Sequence, residues 1–141
     1  MIYEERIPQV KGCIQRVRPY VDRCVIIHDG TLTEDSKAWL QSRNCELYYR
    51  EWDDNFSENR TEYLNRTGHN NWILISDPDE LFCEKLCQDL RQIVADAELE
   101  NKNQILINSH DINHDSDGET RTAISNFFKA LLFYNQPGTR Y

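Results

Sequence analysis

The sequence predicts an α/β protein, a three-layer sandwich in which helices cover both faces of a mostly parallel central sheet. Three observations carry the prediction. Short apolar, β-branched runs alternate with amphipathic segments of helical period, the runs end in turn residues or acids, and no linker, repeat or low-complexity tract divides the 141 residues. One domain, residues 1–141, is therefore expected.

Ile7, Val10, Ile14 and Val17 recur at spacings of three and four, the stripe of a helix over residues 7–17 that Pro19 ends. A strand follows at residues 24–27 and breaks into His28-Asp29-Gly30-Thr31, where Gly30 supplies turn freedom. Thr33 can cap a helix whose first turn holds Glu34 and Asp35, acids that suit the positive end of the dipole, with Ala38, Trp39 and Leu40 as its apolar surface. Residues 45–49 read as a second strand. Ser57 reads as the N-cap of a helix ending near Gly68, and residues 72–76 read as a third strand. Leu86, Leu90, Ile93 and Val94 mark another amphipathic helix, and Ile105-Leu106-Ile107 a fourth strand. Residues 126–134 are apolar and aromatic enough for a further strand before the Pro137-Gly138 turn. An α-β-α-β-α-β-α-β order implies right-handed crossovers between parallel neighbours.

Composition removes several functional classes. A hydrophobic content of 39% with 11% aromatics argues against disorder, and a net charge of −8 argues against general nucleic-acid binding, which needs a basic surface. No apolar run reaches the length of a membrane span. The opening Met1-Ile2-Tyr3-Glu4-Glu5-Arg6 lacks the basic and apolar regions of a signal peptide, so a cytoplasmic location is expected. Cys13, Cys24, Cys45, Cys83 and Cys87 have no zinc-finger or ribbon spacing and read as reduced thiols. The sequons at Asn55, Asn59 and Asn65 read as chance in that compartment.

Chemistry concentrates where strands end. Ile73-Leu74-Ile75-Ser76-Asp77-Pro78-Asp79-Glu80 is an apolar run that stops in three carboxylates, and clustered carboxylates repel one another and are costly to desolvate unless a cation joins them. Asp77 and Asp79 flank Pro78, so both can face one ion at a strand tip, and oxygen-only ligands select Mg²⁺ or Mn²⁺. The competing reading is a solvated turn in which Glu80 opens the next helix. In parallel α/β sheets ligands collect at the carboxyl ends of strands, which would bring Asp29 to the same edge. There it either accepts hydrogen bonds from a base or ribose or is an ordinary turn residue. A cation beside it would stabilise charge developing on a leaving diphosphate. A second polar segment, residues 109–119, is rich in metal-capable side chains but has no ligand spacing and reads as a loop. Metal bound there would indicate a phosphohydrolase instead. Trp52, Phe56 and Trp72 read as core.

The blocks Val21-Asp22-Arg23-Cys24-Val25-Ile26-Ile27-His28-Asp29-Gly30-Thr31, Trp52-Asp53-Asp54-Asn55-Phe56-Ser57-Glu58-Asn59-Arg60 and Trp72-Ile73-Leu74-Ile75-Ser76-Asp77-Pro78-Asp79-Glu80 together resemble glycosyltransferase family 2 in order and spacing. The tail over residues 127–141 is similar to the late strand region of such enzymes. The resemblance implies the type A, nucleotide-diphospho-sugar transferase (Rossmann-like) fold and sugar transfer, with inversion, from a nucleotide-sugar donor to an acceptor hydroxyl. It implies Asp29, Arg60 and Asp77 at the donor, and Asp77 and Asp79 on Mn²⁺ or Mg²⁺. Two departures stand out: the family's nucleotide-binding strand before the first helix is missing, and so is its C-terminal part, where a catalytic acid or histidine often lies. Inverting transfer needs a base, for which Glu80, beside the metal residues, is the candidate. The alternative is a fragment of a larger enzyme, or a non-catalytic glycosyltransferase-like module that would show an apolar groove where the missing strand belongs.

Overall fold

The structure is a computed structural model that describes residues 2–114 and 120–139, with the backbone alone for Phe56, residues 111–114 and residues 120–126. Helix α1, Ile7–Val17, buries Ile7, Val10, Cys13 and Ile14 on one face, and its proline lies in the first turn, where a backbone N–H is not needed. Strand β1, Cys24–His28, leads to helix α2, Glu34–Ser42, where Thr33 Oγ1 accepts from Ser36 N at 3.2 Å as the expected cap. Strand β2 is Cys45–Tyr49. Helix α3, Phe56–Thr67, is capped by Asn55 rather than Ser57: Asn55 Oδ1 accepts from Glu58 N at 3.1 Å, and Ser57 lies inside the first turn. Gly68 ends it at φ 77°, a left-handed conformation that glycine adopts without strain. Then come strand β3, Asn71–Leu74, helix α4, Glu84–Leu99, and strands β4, Gln104–His114, and β5, Thr120–Asn135.

The strands form two sheets. β1 and β2 pair in parallel, with Ile26 opposite Leu47, whereas β3, β5 and β4 form an antiparallel sheet in that order, with Trp72 opposite Tyr134 and Ile105 opposite Leu132. The expected three-layer sandwich around a mostly parallel central sheet is thus not what forms. The reason lies in the connection from β4 to β5, which is far shorter than the dozen or so residues a parallel crossover needs, so the two strands can meet only antiparallel. β5 then also takes one edge of β3. Among the described residues the other edge of β3 pairs with nothing, and β1 meets only Ile2 beyond β2, through a parallel bridge at His28.

Three apolar clusters follow from this split. α1, α2 and β2 enclose Val10, Ile14, Leu32, Leu40 and Cys45, while α4 seats Cys87 and Leu90 on Ile107, Leu131 and Leu132 of the antiparallel sheet. Leu64 of α3 packs on Ile73 and Phe133. Polar ties join the halves. Arg23 forks onto Glu46 with two 2.8 Å bonds and also donates to the carbonyls of Arg66 and Thr67, while Asn135 donates to Gly68 O at 2.5 Å. All five cysteines are free, and Cys13, Cys45 and Cys87 are buried. Among the described residues no helix is long and apolar enough to cross a membrane.

Candidate functional site

Pairing with β5 runs one residue past β3, where Ile75 N donates to Leu131 O at 2.8 Å, and the chain then leaves the sheet through Ser76. A reciprocal turn follows. Glu80 N donates to Asp77 O and Asp77 N donates to Glu80 Oε2, each at 3.0 Å, which holds the Asp77 backbone at the strand tip. Glu80 Oε1 in turn accepts from Lys129 Nζ on β5, and the Glu80 carboxylate holds that ammonium above its ordinary pKa, with Asp77 and Asp79 adding to the effect. Cys13 Sγ and Ser76 Oγ, 3.2 Å apart, fix the same turn to α1.

Asp77, half-buried, and Asp79, exposed, line a cavity of about 880 Å³ that lies between the two sheets. Trp52 precedes α3, and Arg60 and Tyr63 come from it; all three line the same space. The structure therefore brings together three of the five expected residues, Arg60, Asp77 and Asp79. Asp29 and Glu80 are not on that wall. Asp29 Oδ1 accepts from Gly30 N at 2.7 Å and Asp29 N donates to Ile2 O at 3.0 Å, so the Ile2 backbone covers this end of β1. Glu80 has a partner on each carboxylate oxygen, and acting as a base would require its release from Lys129.

Among the described residues no three His, Cys, Asp or Glu side chains converge as a metal group. With Glu80 engaged, two carboxylates remain. That set fits Mg²⁺, which keeps several waters, takes one or two carboxylates and draws its remaining ligands from phosphate oxygens. The polar segment at 109–119 is not a loop over its first part: residues 109–114 continue β4, with Ser109 opposite Phe127 and Asp111 opposite Ser125. Residues 115–119 lie outside the described residues, as do residues 140 and 141 of the tail.

Two further residues belong to the site and went unread in the sequence. Lys129 sits in a strand recognised only by its apolar neighbours. Asn59 lines the cavity at 3% exposure, donates through Nδ2 to Asp53 Oδ1 and Asn55 O at 2.8 Å each, and has its carboxamide oxygen buried with no partner among the described residues. Its spacing of four from the Asn55 cap was the available signal. In comparisons with known proteins, no protein-family model and no curated protein matches the chain.

Proposed function

We propose that the chain is a metal-dependent glycosyltransferase domain that binds a nucleotide-sugar donor at the acidic mouth of the cavity and passes the sugar to an acceptor hydroxyl. One observation carries the reading: Asp77, Asp79 and Arg60 share a cavity wall. Two carboxylates suit a hard cation, and a guanidinium suits a phosphate oxygen through charge-assisted hydrogen bonds. The cation, when bound, supplies neutralisation of the charge that grows on the leaving diphosphate. The chain's own part is positional. Lys129 holds Glu80, Glu80 holds the Asp77 backbone, and the aromatic rings of Trp52 and Tyr63 give a base or sugar ring an apolar wall.

Calorimetry of UDP- and GDP-sugars with and without Mn²⁺ tests this. The expected outcome is heat that requires the metal and disappears in Asp79→Ala, whose circular dichroism and melting stay those of the parent. Equal, negligible heats with and without metal would sink the reading. A second reading, a non-catalytic module that binds a protein partner, is favoured by the apolar stretch of the same cavity between β1 and β3.

A further inference from the structure

The gap between the two sheets is bordered by strand edges. Ile27 O accepts from Ile2 N at 2.9 Å and Asp29 N donates to Ile2 O at 3.0 Å, whereas His28 O accepts from Arg50 N at 3.0 Å on the β2 side. Backbone groups alternate in direction along a strand, so those of Val25 and Ile27 face the gap. On β3 the bond from Ile75 N to Leu131 O sets the opposite phase, and Trp72 and Leu74 turn their N–H and C=O groups away from β5 and toward the same gap. All four residues line the cavity except Ile27, whose side chain is buried. Among the described residues Ile2 is the only backbone partner on the gap side of β1, and the gap side of β3 has none.

Helices close the gap with apolar surface, Ile14 and Val17 from α1 and Leu90 and Val94 from α4. Charged side chains sit at its two ends, Asp22 and Arg23 at the start of β1 and Asp77 and Asp79 past the end of β3. A small apolar ligand would fill such a space but leave the backbone groups of both edges unsatisfied, at a cost comparable to a lost hydrogen bond for each. A β-strand satisfies both edges and places its side chains against the apolar helices. The parallel bridge of Ile2 shows the direction that the β1 edge accepts. To fill the gap from a second copy would take a strand with both edges open, and every described strand already pairs along at least one.

We propose that the gap between β1 and β3 binds an extended, uncharged, apolar strand of a partner chain, parallel to β1, joining the two sheets. It shares the cavity with the glycosyl-transfer reading but rests on the backbone edges, not on Asp77, Asp79 and Arg60.

The probe is a capped peptide of alternating valine and isoleucine with a lysine at each end, together with the same peptide N-methylated at alternate residues. Hydrogen exchange of the whole chain is followed by NMR. The parent peptide should slow exchange at Val25, Ile27, Trp72 and Leu74 by about tenfold or more, and the N-methylated peptide, whose methyl groups all crowd one edge, should lose that protection on one of the two sheets. Equal protection by both peptides would make the gap an apolar ligand site and overturn strand addition. Absence of protection at these amides would overturn it too. So would protection on raising protein concentration alone with a dimer in sedimentation, which would place a second copy there. Nucleotide-sugar heats are a separate readout, so either proposal can fail without the other.

Discussion

Glu4 organises a helix that begins thirty residues further along. Its carboxylate accepts from Ser36 Oγ at 2.7 Å, from Thr33 Oγ1 at 2.9 Å and from Thr33 N at 3.0 Å, and these bonds, that of Ser36 foremost, hold its carboxyl below the ordinary range. A folded pKa below the unfolded value near ~4.3 means that the stabilisation is present above that pH and is lost as pH falls through the folded pKa. Glu4→Gln should therefore melt lower than the parent near neutral pH and converge with it in acid, once the pH has fallen through the folded pKa. Melting curves across that range check it, and a constant difference at every pH would contradict it. The Thr33 cap was readable because it is local; the carboxylate that completes it was not, because the sequence separation hides the contact.

The start of α3 separates two candidate caps. Asn55→Ala removes the oxygen that accepts from Glu58 N and should cost about 1 kcal/mol in urea unfolding, whereas Ser57→Ala, two positions inward, should cost less. The reverse order would return the cap to Ser57. Elements with strong local signals came out where the sequence put them, residues 7–17 and 45–49 to the residue. β3 starts one residue early, where Asn71 meets Asn135, and stops two early, at Leu74, with a last bond to β5 from Ile75 N. The outer part of β4 was unreadable for a related reason. A two-stranded ribbon needs no buried face to pair its backbones, so residues 109–114 carry no apolar alternation.

The order of strands was the largest loss between sequence and structure, because pairing is a property of two segments and neither Ile73 nor Leu132 states its partner. The alternation of helices and strands pointed to parallel pairing and holds for β1 and β2, but the β4–β5 hairpin captured β3. The candidate site was half readable. Asp77 and Asp79 announce themselves at a strand end, and Arg60 entered through the resemblance. That Ile2 covers the Asp29 end of β1, and that Lys129 engages Glu80, depend on contacts across the fold. The gap left between the sheets also sets how the molecule responds to compression. Unfolding abolishes internal voids, so whatever part of the cavity of about 880 Å³ excludes water should add to the volume decrease, whose usual range is about −20 to −100 mL/mol. Trp52 and Trp72, both on the cavity wall, report it by fluorescence under hydrostatic pressure. A volume change near the small end would mean that water already fills the space. A strand or ligand seated in the gap should raise the pressure at which the protein unfolds.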